Sequence, residues 1–261
     1  MGGGPAGLRA AEAAARRGHM VTLYEKAERL GGQVNIAALG AGREEIKSVI
    51  RNSENQLKRL PVTIILNKDV TADFVLQQKP DAVIIATGAL SKPCTLPGGD
   101  GPNVFNVRQV LTSQAKVGKK VLFIDNDGHH QATATVEFLL DRGCQVHIVT
   151  NSPTVGSELG PSQDSYLAHQ RLAQKGVTFT PDFAVTEIQG TAVKGLNYYN
   201  NEWHTFEGFD SVVYAMGSKA EDSLYQALKG KVKELYRVGD CLAPRKIDAA
   251  VLEGDKVGRM I

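Results

Sequence analysis

The run Gly2-Gly3-Gly4-Pro5-Ala6-Gly7 restricts the fold more than any other stretch of this sequence. Glycines at 2, 4 and 7 satisfy the spacing G-x-G-x-x-G, and each has a mechanical task. Gly2 makes a tight turn, Gly4 leaves the backbone open to close approach, and Gly7 lets a helix pack on a strand. Pro5 suits the first helical position, where the amide hydrogen it lacks is not needed and its fixed φ starts the helix. The Ala-rich residues 5–17 then read as a helix closed by Gly18, followed by an apolar strand at 20–24.

A second unit repeats this plan. An apolar strand at 121–124 leads through a polar turn into a helix at about 132–142, closed by Gly143, and then into a strand at 145–149. Between the units lie a helix at 43–60 and strands at 62–66 and 81–86, the latter ending in Thr87-Gly88. Strands at 210–215 and 235–239 follow the second unit. This alternation predicts an α/β fold with a mainly parallel sheet. The Pro- and Gly-rich residues 91–103 read as a crossing between domains. We therefore expect a discontinuous domain, 1–91 plus 211–261, with a second domain, 92–210, inserted in it.

The opening turn suits a diphosphate, because the positive end of the helix and its free amides face the phosphates. Eighteen positions beyond Gly7, Glu25 ends the next strand, where a carboxylate can accept from ribose hydroxyls. The plain alternative is a glycine-rich turn beside a solvated Glu25. Glu25 to Gln33 reads E-K-A-E-R-L-G-G-Q, Thr87-Gly88 closes one strand, and Gly239-Asp240 follows another. In this order, these features resemble the FAD-binding domain of the glutathione-reductase-like flavoproteins.

The residues from 237 to 245, R-V-G-D-C-L-A-P-R, with Ala249-Ala250 and Glu253-Gly254, narrow the resemblance. They are similar to the closing segment of the trimethylamine dehydrogenase and 2,4-dienoyl-CoA reductase family, the Old Yellow Enzyme-like NADH:flavin oxidoreductases. The resemblance covers essentially the whole chain. It implies two Rossmann-like, glutathione-reductase-type domains, the second inserted in the first, with FAD or ADP held in the first. By position it implies that Gly2, Gly4, Pro5, Ala6 and Gly7 line the pyrophosphate and that Glu25 and Lys26 hold the adenosine. Gly32, Gln33, the backbone of Val70, Gly88 and Asp240 would complete the pocket. Asp240 has a plain alternative as a cap near Arg245.

In that family these domains follow a barrel with FMN and a 4Fe–4S cluster. Neither the barrel nor a cysteine run for a cluster is present here, so no catalytic residue is assigned and the chain alone is expected to be inactive. The resemblance implies part of a flavin-dependent, iron-sulfur oxidoreductase that joins such a barrel in one polypeptide and passes electrons to a protein acceptor such as an electron-transfer flavoprotein. Two alternatives stand beside it: an FAD-dependent NAD(P)H oxidoreductase of the enoate or dienoyl-CoA reductase type, and a non-catalytic adenine-nucleotide docking module.

The second turn reads Asp125-Asn126-Asp127-Gly128-His129-His130, with Asp125, Asp127 and His130 at the three glycine positions. The turn loses its small residues, and an imidazole stands where helix and strand should touch. A carboxylate about 4 Å from a phosphate charge is repelled by about 4 kcal/mol at an effective dielectric near 20. Thr150-Asn151 ends the next strand without an acid or an arginine for a ribose. NAD(P) is therefore not expected there, and the D-x-D pattern resembles the trimethylamine and histamine dehydrogenase branch, which holds ADP where relatives hold FAD. His129 and His130 read as metal ligands or, more plainly, as polar residues at a helix start. No metal is expected, since adjacent helical side chains diverge.

Thirty basic and 28 acidic side chains leave a formal charge of +2 without a block of one sign, which gives no footprint for nucleic acid or a membrane surface. Cys94, Cys144 and Cys241 lie far apart with no C-x-x-C pair, so a reducing cytoplasm is expected. Cys144 and Cys241 should pack as small apolar groups, and Trp203 should cover a strand pair.

A fingerprint of this type follows an apolar strand, yet only Met1 precedes Gly2. That strand would be the central one, and without it its neighbours would stand nearly ~10 Å apart, too far to pair. The expectation is that the sequence is truncated ahead of Met1 and, on weaker grounds, at Ile261.

Overall fold

In the computed structural model, which describes residues 1–160 and 163–261, the chain divides into two compact units. In chain order the elements begin with α1 (Pro5–Arg16), β1 (Val21–Tyr24), α2 (Gln33–Ala37), α3 (Lys47–Leu57) and β2 (Val62–Ile65). There follow α4 (Ala72–Gln78), β3 (Ala82–Ile85), β4 (Ala89–Ser91), β5 (Val104–Asn106) and α5 (Val107–Leu111). The middle of the chain supplies β6 (Lys120–Asp125), α6 (His130–Leu140), β7 (Gln145–Val149), α7 (Gln163–Gln174), β8 (Thr178–Thr180) and β9 (Phe183–Gln189). The remainder is β10 (Ala192–Asn197), β11 (Trp203–Phe206), β12 (Ser211–Ala215), β13 (Ser218–Ala220), α8 (Ser223–Leu228), β14 (Glu234–Arg237) and α9 (Ile247–Met260).

The first unit comprises Met1–Ala38, Glu45–Leu90 and Ser218–Ile261. Its strands form separate parallel pairs, β1 with β2 and β3 with β14. Among the described residues no strand joins β1 to β3. The first two residues bridge them, Ala86 donating to the Met1 carbonyl at 2.7 Å and Gly2 donating to the Tyr24 carbonyl at 2.8 Å.

Helix α1 forms because Pro5 starts it, alanines fill it, and Arg16 in its last turn complements its dipole. Buried Glu12 holds Arg9 at 3.0 Å and Arg16 at 2.9 Å along one face. Helix α9 approaches α1 closely where its glycines face the α1 backbone. A Cβ on Gly254 would stand 2.2 Å from the Ala6 carbonyl, and one on Gly258 would stand 2.5 Å from that of Ala10. Apolar clusters around Leu8, Leu23 and Leu57, and around Val75, Val83 and Cys241, complete this core.

The second unit, Leu39–Glu44 with Ser91–Gly217, carries a parallel five-stranded sheet in the order β5-β12-β6-β7-β8. Its central strand β6 has an apolar middle, where Val121, Leu122, Phe123 and Ile124 are fully buried. Strands β9, β10 and β11 form an antiparallel sheet with a register shift at Lys194/Gly195. Trp203 departs from expectation: it lies on edge strand β11 and is 60% exposed, with the Lys194 ammonium 5.3 Å from its ring centre. Helix α3 is shorter than residues 43–60 because its start is a 3₁₀ turn, Glu44–Ile46.

Replacing Gly254 with alanine should lower stability by about 1–3 kcal/mol, the usual cost of overpacking, because the opposing atom is backbone and cannot step aside. Urea denaturation measures it, and an unchanged midpoint would remove the glycine contact as the organiser of α1 against α9. On β7, both ring nitrogens of His147 bond hydroxyls of β8, Nδ1 with Thr178 at 2.6 Å and Nε2 with Thr180 at 3.0 Å. Burial, and then the neighbouring His204, hold this imidazole below its ordinary value of 6.5. The unfolded chain takes up the proton first, so stability present above about pH 6.5 falls as pH drops toward the lower folded value. Urea midpoints measured across that window should show a shallower slope in His147→Gln; equal slopes would refute the assignment.

Candidate functional site

The turn ahead of α1 is built from backbone in near contact. At Gly2, φ is +103° and a Cβ would stand 2.2 Å from the Ala86 carbonyl; at Gly7 it would stand 1.9 Å from that of Gly2. Neither position accepts a side chain. Gly4 differs, since its φ is −79° and a Cβ there would meet nothing within 4 Å. The fold does not require glycine at 4, and a side chain there would project into the open space beside the helix N-terminus. The first helical bond runs from the Leu8 amide to the Gly4 carbonyl at 2.9 Å, so the amides of Ala6 and Gly7 belong to the first turn, which needs acceptors from outside the helix.

A second glycine pair faces this opening. The Gly31 amide donates to the Gly3 carbonyl at 2.8 Å, and a Cβ on Gly32 would lie 3.3 Å from the Gly4 Cα. Gln33, which starts α2, donates through Nε2 to Asp240 Oδ2 at 2.9 Å. Gly88, at φ +79°, lies beside that amide, 3.6 Å from a Cβ built on it. The other Asp240 oxygen accepts from the Arg245 amide at 3.1 Å. Asp240 thus holds the loop before α9 and Gln33 together, a capping role combined with a positioning one. Gly2, Gly4, Pro5, Ala6, Gly7, Gly32, Gln33, Gly88 and Asp240 form one continuous patch. Lys26 is exposed, and Val70 turns its side chain into the Val75 and Val83 cluster.

Glu25 is buried, and its carboxylate is already at work inside the protein. Oε2 accepts from the Gly3 amide at 2.6 Å and Oε1 from the Ala27 amide at 2.8 Å. Each oxygen keeps a further lone pair, so a hydroxyl can still be accepted. The tie to Gly3 is invisible in the sequence, because it depends on β1 delivering residue 25 beside the turn. Glu25→Ala should cost about 1–3 kcal/mol for each amide left without its acceptor, with or without nucleotide. Urea denaturation of nucleotide-stripped protein measures this, and a loss seen only with nucleotide bound would exclude the structural tie.

The second turn is closed. Asp125 is 1% exposed and accepts at Oδ1 from the amides of Asp127, at 3.2 Å, and Gly128, at 2.8 Å. Its Oδ2 accepts from the Gly156 amide at 3.2 Å. Burial pushes this carboxyl above its ordinary value while the three amides pull it back. Asp127 keeps one buried oxygen with no hydrogen-bond partner. His130 is not wedged between helix and strand as its alignment with the third glycine implies. Its side chain is 40% exposed, with Nε2 3.7 Å from Asp164, because the chain turns at Gly128 before the helix begins. His129 caps α6 by position and bonds the Asp127 carbonyl at 2.8 Å. Among the described residues no three His, Cys, Asp or Glu side chains gather as a metal ion would need, and no helix is long and apolar enough to cross a membrane.

A family model described as "Pyridine nucleotide-disulphide oxidoreductase" matches residues 1–254. N,N-dimethylglycine/sarcosine dehydrogenase of Chromohalobacter salexigens is 28% identical over 98% of this chain and 42% of its own length. Bilirubin reductase of Mediterraneibacter gnavus is 32% identical over 97% of this chain and 39% of its own. Histamine dehydrogenase of Rhizobium sp. 4-9 superposes with a TM-score of 0.93 at 25% identity, covering all of this chain and 43% of that one. The chain thus spans about two-fifths of the length of the curated relatives it matches.

Proposed function

Because this chain belongs to the pyridine nucleotide-disulphide oxidoreductase family, we propose that its first unit holds the ADP half of FAD, or ADP itself, across the turn from Gly2 to Gly7. The observation that carries this reading is Gly4, a glycine with ordinary φ and open surroundings at a helix N-terminus. The amides of Ala6 and Gly7 would bind phosphate oxygens there, and no acidic residue occupies the first turn of α1 to oppose them. Glu25 would take the adenosine ribose with its remaining lone pairs, and Lys26 would stand at the exposed rim. Gly32 leaves room beside Gly4, while Gln33, Gly88, Asp240 and the backbone of Val70 would border the remainder of the ligand. FAD, when bound, supplies flavin redox chemistry, whereas ADP supplies none.

The larger reading is of a longer flavin-dependent oxidoreductase in which the first unit forms the FAD- or ADP-binding domain and the second, which also takes in 39–44 and strand β12, a degenerate NAD(P)-binding-like domain. A barrel in the same polypeptide, carrying FMN and a 4Fe–4S cluster, would perform the chemistry, and electrons would leave to a protein acceptor such as an electron-transfer flavoprotein. Amine dehydrogenases among the relatives, such as those at 28% and 25% identity, support this reading. A cytoplasmic setting fits the three free cysteines. The 32% identity to a bilirubin reductase favours a second reading, an FAD-dependent reductase. If such a reductase used NAD(P)H through the second turn, the dinucleotide would have to sit where Asp125 already fills the amides.

Heat release followed by chromatography identifies the nucleotide, and yellow colour with released FAD separates FAD from ADP. Gly4→Asp should fold, since its side chain meets open space, and should lose at least about tenfold in retention because a carboxylate there faces phosphate. Asp127→Gly should retain the wild-type amount. Full retention by folded Gly4→Asp would remove the opening turn as the nucleotide site.

A further inference from the structure

We propose that the turn after β6 is an anion-binding nest that carries its own anion, the Asp125 carboxylate, which fastens the loop after β6 to the loop after β7. Three amides from two loops converge on this one side chain: Asp127 and Gly128 on Oδ1, Gly156 on Oδ2. Gly128 at φ +68° and Gly156 at φ +67° adopt the left-handed conformation that turns successive amides inward. Space there is closed to side chains. A Cβ on Gly128 would stand 2.5 Å from Ser157 Oγ, and one on Gly156 would stand 2.8 Å from Leu159 Cδ1. A second link between the same loops runs from the Glu158 amide to the Gly128 carbonyl at 3.0 Å.

Converging amides of this kind are what a nest offers a phosphate or carboxylate group. Here the group is covalently part of the chain, so it is present at every ligand concentration and loses no translational freedom on binding. The partnerless buried oxygen of Asp127 adds a second negative centre against any incoming anion. The second turn thus retains the chemistry of anion recognition and spends it on holding its own loops. Dinucleotide is excluded because the amides are already occupied, rather than because the turn has lost them. This assignment is independent of whether the first unit holds FAD or ADP.

Chemical rescue with formate tests it on the full chain. Asp125→Ala removes the carboxylate and leaves three amides without it, so its melting temperature in chloride buffer should fall by about 5–10 °C. Formate at matched ionic strength should restore most of that loss in a saturable way. Wild type and a cavity variant on the same strand, Leu122→Ala, should show no such response. Should Asp125→Ala fail to fold in chloride, refolding yields in formate and chloride replace the melting temperatures, with the higher yield expected in formate. Equal values in the two anions, or equal formate rescue of Leu122→Ala, would overturn the proposal.

Discussion

A strand-to-helix turn points several backbone N–H groups at one place, and those groups require a negatively charged or lone-pair oxygen from somewhere. The two units meet this demand differently. In the first, Glu25 reaches back from β1 to take the Gly3 amide, and the face beside Gly4 stays open. In the second, Asp125 stands within the turn and takes three amides at once. One carboxylate shapes a cradle and the other fills one. The difference between a turn that receives a ligand and a turn that ties loops together comes down to where the acid is placed.

The open turn depends on contacts that leave no room for a Cβ. Gly7 against the Gly2 carbonyl sets α1 on its turn, and Gly254 and Gly258 let α9 lie directly on α1. Gly239 continues the arrangement, since a Cβ there would stand 2.7 Å from that of Ala6, and its amide donates to Glu253 of α9 at 2.8 Å. The loop carrying Asp240 is thereby fixed to the helix whose N-terminus defines the site. Backbone-on-backbone packing of this kind is unforgiving, because a displaced carbonyl drags its helix with it.

The glycine pattern, Pro5 and the apolar strands were legible in the sequence because each reflects a local demand of the backbone. Strand Gln145–Val149 and the start of α1 at Pro5 follow directly from periodicity and capping. Roles that depend on tertiary placement were not legible. Asp125 reads as a charge that repels phosphate, whereas in the fold it accepts from the nearby amides of Asp127 and Gly128 and from Gly156, 31 residues away. Residues 39–44 join the second unit although they follow the first fingerprint, and Trp203 lies on an exposed edge strand rather than over a strand pair. His130 escapes the steric conflict of its aligned position because Gly128 supplies a left-handed turn one residue after the second glycine position of a G-x-G-x-x-G pattern.

Amide hydrogen exchange with added ADP, read by mass spectrometry along the whole chain, bears most directly on the contrast between the two turns. Slower exchange at residues 2–8 and 25–33, with residues 125–130 and 156 unchanged by ADP, NADH or NADPH, is the expected pattern. Protection at 125–130 by any of these nucleotides, with the opening turn exchanging as before, is incompatible with an open first turn and a self-filled second one.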